Sequence, residues 1–150
     1  MKRLLIIFAL GSLTANAAQP SIFTLSPVIE DTIIRYAMLE QYMKELTTVL
    51  NRIQDKKSAE EQAAFVNMLC KEMFNVLEDT KDPYKILPEI KTAADRRLML
   101  TSRATLEEAG LTLQKQFIRL AEEEFYGSAT LINTLQSLEI LDDEADDFIR

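Results

Sequence analysis

Apolar residues recur three and four positions apart through most of this 150-residue chain. That spacing places them on one face of an α-helix, and the strict alternation typical of half-buried strands is absent. The chain has only 3 Gly and 4 Pro, so few positions interrupt a helix. The pattern therefore predicts an all-α fold, an elongated up-down helical bundle of three long helices plus a short fourth.

The first predicted helix begins at Ser26-Pro27, because serine is a favoured N-cap and proline fits the first helical turn. Its apolar positions then follow one another mostly in steps of three and four, as in a heptad repeat. They are Ile29, Tyr36, Leu39, Met43, Leu46, Leu50 and Ile53. We expect this helix to lie along its neighbours at a shallow angle.

A second helix is predicted to begin near Ala59, because Ser58 and Glu61 have the spacing of a capping box. It should end near Asp79, since residues 79–88 contain two prolines. Its predicted apolar face consists of Val66, Leu69, Met73 and Val76, widened by Phe65, Phe74 and Leu77.

The third predicted helix spans residues 88–126, and its inward side changes partway along. Leu87, Ile90, Ala93, Ala94, Leu98 and Ala104 share one side, and Leu106, Leu113, Phe117 and Leu120 share another, about 130° away. Either the helix breaks near Thr105, or one continuous helix contacts different partners at its two ends. We favour the continuous helix, because no proline intervenes and Gly110 alone costs about 1 kcal/mol. Ser128 then caps a short fourth helix with Leu131, Leu135 and Leu138 inward.

The first 17 residues have the pattern of a secretory signal peptide: Lys2 and Arg3, a short apolar run, and Ala15-Asn16-Ala17 at the end. The apolar run is too short for the roughly 20 residues of a spanning helix, which disfavours the alternative of an uncleaved anchor. We therefore expect residues 1–17 to be removed, residues 18–25 to form a linker, residues 26–141 to form the bundle, and residues 142–150 to form an acidic tail. Export would place the protein in the periplasm or outside the cell.

Charge and composition exclude several classes of function. Loss of Lys2 and Arg3 from the 17 Lys and Arg residues, against 24 Asp and Glu, would change the net charge from −7 to −9, which disfavours nucleic-acid binding. The chain has no histidine, so it lacks Ser-His and Cys-His pairs and the common zinc and di-iron motifs. Cys70 is alone in an apolar stretch and is predicted to be a buried, inert thiol. We assign no catalytic residue, no metal site and no cofactor.

The one concentration of positive charge is KTAADRRLMLTSR, residues 91–103. On a helical wheel Arg97 lies among small residues of the inward stripe, whereas Arg96 and Arg103 lie on an outer flank. A buried guanidinium must be paired. The favoured interpretation is therefore an ion pair between Arg97 and a carboxylate of a neighbouring helix, near Glu40 or Glu72. The alternative is an anion-binding site with Arg97, Arg96, Lys91 and Arg103 as its candidate residues.

Two classes of function remain. The first is an exported interaction or structural module that binds a protein partner or its own copies, with a holdase-like chaperone as a variant. Its surplus apolar residues are Ile33, Ile34, Met38, Tyr42, Leu100 and Ile118. The second is a small helical enzyme or binder that uses arginines to hold an anionic ligand. The first is favoured, because the arginines form no recognisable constellation in the sequence.

Overall fold

The computed structural model describes residues 25–80 and 90–141. They form α1 (Pro27–Asn51), α2 (Lys56–Glu78), α3 (Ala93–Glu122), a 3-10 segment (Glu124–Gly127) and α4 (Ala129–Ser137). No strand occurs in these two ranges. The all-α bundle of three long helices and a short fourth is thus confirmed, and its up-down arrangement stays a prediction. The predicted signal peptide, most of the predicted linker and the predicted acidic tail lie outside the described residues.

Helix α1 is the central element of the bundle, because it packs against both α2 and α3. Its predicted apolar face is confirmed: Ile29, Leu39, Leu46, Leu50 and Ile53 are at most 1% exposed, Tyr36 is 3% exposed, and Met43 is half-buried. Ser26 and Pro27 stand at its start as predicted. Two neighbours on two sides of α1 explain why its apolar stripe is wide and continuous.

Helix α2 begins three residues earlier than predicted, and Asp55 is its N-cap instead of Ser58. The Ser58 backbone N–H donates to Asp55 Oδ1 at 2.7 Å, and the Asp55 backbone N–H donates to Ser58 Oγ at 3.1 Å. This is a reciprocal capping box with serine at its third helical position. The hydrogen bond from the Ser58 backbone, followed by that from its hydroxyl, lowers the pKa of Asp55.

The predicted face of α2 is too wide. Val66, Leu69 and Val76 are buried, but Phe65 and Leu77 are 55% and 52% exposed. Periodicity predicts the direction in which a side chain points, and burial also requires a neighbour at that height. The predicted end near Asp79 is confirmed, since Asp79 is the C-cap.

Helix α3 is continuous through Thr105, as the favoured interpretation predicted. It begins at Ala93, however, and not at the predicted Pro88. Thr92 is its N-cap, and the Thr92 hydroxyl accepts from the Asp95 backbone N–H at 3.0 Å. Thr92, four residues after Pro88, was not considered as an alternative start of this helix. The bounds at the other end agree to within a few residues.

The predicted change of face in α3 is wrong. Met99, Leu106, Leu113 and Leu120, spaced by seven residues, form one face along the helix. Ala93, Ala94, Leu98 and Ala104, which were predicted to face inward, are exposed. Alanine and isolated leucines are tolerated on both surfaces of a helix, so they are weak markers of the buried side. A single face fits the fact that α3 packs mainly against one long partner, α1.

The core has two parts along the bundle. The larger lies where α1 ends and α2 begins, and includes Leu46, Leu50, Val66, Leu120 and Leu135. Leu131 and Leu135 of α4 are fully buried in it, Leu138 is partly buried against it, and Ser128 caps α4 as predicted. The smaller, around Ile29, Tyr36, Ile90 and Met99, lies at the opposite end of α1.

Candidate functional site

Arg97 is exposed, which contradicts its predicted burial in the inward stripe. No ion pair joins Arg97 to a carboxylate within the described residues. The buried face of α3 passes through Met99, so Arg97 points away from α1. The predicted interhelical pair of Arg97 with Glu40 or Glu72 is therefore wrong.

The four candidate cations are not assembled into one site among the described residues. Arg97 lines a shallow groove of about 440 Å³ together with Ala93, Ala94, Leu98 and Thr101. Lys91 and Arg96 are exposed and do not line that groove. Arg103 Nε donates to Glu107 Oε1 at 2.6 Å within α3. Binding of an anion at Arg97 stays a prediction.

Within the described residues, Arg35 makes an ion pair between two helices instead. Its Nε donates to Asp31 Oδ2 at 3.0 Å on the same helix, and its Nη1 lies 3.4 Å from Asp79 Oδ2 at the end of α2. The hydrogen bond to Asp31 raises the pKa of Arg35. Both carboxylates are more than half exposed, so the pair contributes little to stability.

Arg119 forms a polar cluster that joins the end of α1 to the turn after α3. Its Nη2 donates to Leu50 O at 2.7 Å, and its Nη1 donates to Ile53 O and to Tyr126 Oη at 3.1 Å each. The two carbonyls lie at the C-terminal end of α1, where backbone acceptors have no helical partner and a cation is favoured. No local sequence pattern indicates this cluster, since Arg119 lies 66 and 69 residues from the two carbonyls.

Tyr126 belongs to an unusual turn that Arg119 holds against α1. The φ angles of Glu124, Phe125, Tyr126 and Gly127 are 48°, 51°, 53° and 64°. Only Gly127 adopts this left-handed conformation without cost, and each of the other residues costs about 1–2 kcal/mol. The partly buried Phe125 and Tyr126 rings pack against the larger core and offset part of that cost. From the sequence, only the end of the third helix at residue 126 was predicted for this segment.

An outer apolar row runs along the solvent side of α3. Leu100, Leu111 and Ile118 are 57%, 60% and 51% exposed. Successive spacings of eleven and seven residues are close to whole helical turns, so the three side chains lie on one side of the helix. Ala104 and Ala121, both exposed, lie about 40° to one side and about 60° to the other side of Leu100 around the helix axis. We call these five residues the outer row. Leu111 was not among the surplus apolar residues predicted from the sequence. Ile33 and Tyr42, which were among them, are partly buried.

A threonine groove of about 420 Å³ separates parts of α1 and α3. Its lining residues are Glu40, Lys44, Thr47, Thr48, Thr105, Glu108, Ala109 and Thr112. The short side chains leave space between the two helices. The helices approach closely nearby, where a Cβ on Gly110 would lie 3.8 Å from Met43 Sδ.

Cys70 is buried, as predicted, and burial raises the pKa of its thiol to about 11. A thiol that stays protonated at neutral pH is a poor nucleophile. The acidic run Glu122, Glu123 and Glu124 is exposed, and the described residues contain no group of side chains arranged to hold a metal ion.

Comparison of the chain with protein-family models, with curated proteins and with solved structures found no match. The helices of the described ranges include none with an apolar stretch long enough to cross a bilayer.

Proposed function

We propose that this protein is an exported interaction module that binds a helix of a protein partner along the outer row of α3. The observation that carries the proposal is the alignment of Leu100, Leu111 and Ile118, each more than half exposed, on one side of a 30-residue helix. Single exposed aliphatic residues are common, but several large ones aligned on one side of a helix are typical of a binding surface.

The dimensions of the outer row suit a helical partner. Leu100 and Ile118 are 18 residues apart, which corresponds to about 27 Å along the helix axis. Ala104 and Ala121 lie between and beyond the large side chains, and their small size allows another helix to approach closely. On this side of the helix, Glu107 lies between Ala104 and Leu111, and its carboxylate accepts a hydrogen bond from Arg103. An amphipathic helix with apolar residues at matching spacing would cover the row.

The other parts of the proposal rest on the sequence. Export is supported by the signal-peptide pattern of residues 1–17, and a role without catalysis is supported by the absence of histidine from the chain. The exposed, unassembled positions of Lys91, Arg96 and Arg97 favour the interaction module over the arginine-based binder.

A charge placed in the row tests the proposal. Leu111→Lys should leave folding intact, because Leu111 is exposed, and should abolish partner binding by placing an ammonium group in the middle of the contact. Phe65→Lys is the matched control, since Phe65 is 55% exposed but lies on α2. Circular dichroism checks folding, and sedimentation velocity with co-purification from the native host measures binding to copies or to another protein.

The expected result is an assembly that forms with the wild type and with Phe65→Lys but not with Leu111→Lys. Self-association and binding of a different protein both support the module, and sedimentation of the purified protein distinguishes them. A Leu111→Lys protein that keeps every partner of the wild type would refute the role of the outer row.

A further inference from the structure

We propose that the threonine groove between α1 and α3 is a binding site for the ammonium group of an aliphatic amine. The site is separate from the outer row, and the proposal does not depend on the function proposed above. It rests on which hydrogen-bonding atoms the groove leaves available.

The threonine hydroxyl protons are already committed. Thr47 Oγ1 donates to Met43 O at 2.7 Å, and Thr48 Oγ1 donates to Lys44 O at 2.9 Å. On the other wall, Thr105 Oγ1 donates to Ser102 O and Thr112 Oγ1 donates to Glu108 O, both at 2.9 Å. Each hydroxyl therefore donates to its own helix, and only its oxygen lone pairs remain for a ligand.

The charged groups of the groove also offer acceptors and few free donors. Lys44 Nζ donates to Glu40 Oε1 at 2.5 Å, so the one cationic donor among the lining residues is paired. Glu108 forms no ion pair with any described residue. Two carboxylates against one ammonium leave the groove with one excess negative charge. The groove is thus rich in acceptors and poor in donors.

A ligand for this groove must supply hydrogen-bond donors, positive charge and an apolar body. A primary ammonium has three donors and no acceptor, so it complements the hydroxyl oxygens and the Glu108 carboxylate. An alkyl chain would contact Ala109 and the threonine methyl groups. Carboxylate and phosphate ligands would meet acceptors and repulsion instead. The ammonium can come from a free amine or from a lysine side chain of another protein.

The test uses 1,5-diaminopentane and N-acetyl-lysine methylamide as the two sources of an ammonium group. Each is titrated into the full-length protein at constant ionic strength and followed by calorimetry and by the backbone amide shifts of Thr47, Thr48, Thr105 and Thr112. Hexanoate, an acid of comparable length, is the ligand control. Binding should be saturable for one or both amines, should shift those threonine amides, and should be absent for hexanoate.

Two carboxamide variants locate the site. Glu108→Gln should weaken amine binding about tenfold, as expected when a charge-assisted hydrogen bond is lost. Glu107→Gln is the matched control, because Glu107 is the adjacent carboxylate, is bonded to Arg103 and does not line the groove. Both variants remove one negative charge, so general attraction of the amine to an acidic protein affects them equally.

Three outcomes would overturn the proposal. They are a lack of saturable binding for both amines, equal weakening by the two variants, and amide shifts that avoid all four threonines. If only one amine binds, the ammonium site stands and that amine identifies its source.

Discussion

The replacement of Arg119 by methionine tests whether its guanidinium holds the end of α1 against the left-handed turn. Methionine retains the apolar length of the side chain and removes every hydrogen bond. Leu50 O would still accept from the Ile53 backbone N–H at 3.1 Å, whereas Ile53 O would lose the donor that Arg119 supplies. Because Ile53 is fully buried, that loss is the costly one.

The expected magnitude follows from these contacts. A hydrogen bond from a charged donor contributes about 1.5–3 kcal/mol, and a buried carbonyl left without a donor costs about 1–3 kcal/mol. Arg119 is half-buried and Leu50 O keeps a donor, so we expect Arg119→Met to lower the free energy of unfolding by about 2–4 kcal/mol. At about 4 °C per kcal/mol for a domain of this size, the melting temperature should fall by roughly 8–16 °C.

Urea unfolding followed by far-UV circular dichroism measures the change, with three further variants for comparison. Arg96→Met removes an exposed arginine from the same helix and should stay within about 0.5 kcal/mol of wild type. Tyr126→Phe removes one hydrogen bond and should cost about 1 kcal/mol. Arg119→Lys keeps the charge but has a single nitrogen that cannot reach both carbonyls and Tyr126, so it should recover only part of the loss. If Arg119→Met unfolds at the same urea concentration as Arg96→Met, the cluster does not stabilise the fold.

Four other predictions concern the core, the thiol, Arg97 and export. Leu46→Ala and Leu69→Ala, at buried positions, should each cost about 2–5 kcal/mol in urea unfolding, and a loss under about 1 kcal/mol would contradict their core positions. The pKa of Cys70 is raised from 9.0 to about 11, so its neutral form stabilises the folded chain below pH 9 and this contribution falls as pH rises toward 11. The stability advantage of wild type over Cys70→Ala should therefore shrink across that range by up to about 1.4 kcal/mol per pH unit, and a constant difference would refute the assignment. Arg97→Met should change the free energy of unfolding by less than about 0.5 kcal/mol, because Arg97 is exposed. Thermal melts of the wild type and of Arg97→Met with phosphate, citrate and nucleotides test the anion site, and a shift in melting temperature that depends on Arg97 would support it. Mass spectrometry of protein from the native host should find a chain that starts near Ala18, and an intact Met1 in the cytosol would contradict export.

The sequence by itself determined the approximate positions of the helices and the buried face of α1. Those features depend on local causes: the spacing of large apolar residues, Pro27 in a first turn, the serine cap at Ser128 and the prolines that follow Asp79. The burial of Cys70 was equally predictable, since its neighbours in the chain are apolar on the same helical face. The errors at the starts of α2 and α3 arose because a residue that suits a helix start, Ser58 or Pro88, lies a few positions from the N-cap that the chain uses, Asp55 or Thr92.

Only the tertiary structure decided which side of α3 is buried and which arginine serves the fold. A helical wheel gives the angle between Arg97 and Met99, but not which of them faces α1, and alanine does not distinguish the two. The carbonyl partners of Arg119, Leu50 at the end of α1 and Ile53 just beyond it, lie 69 and 66 residues away, a separation that no local pattern encodes. The outer row and the threonine groove likewise depend on the register and the rotation with which α1 and α3 pack against each other. Packing energy summed over the whole interface selects that register and that rotation.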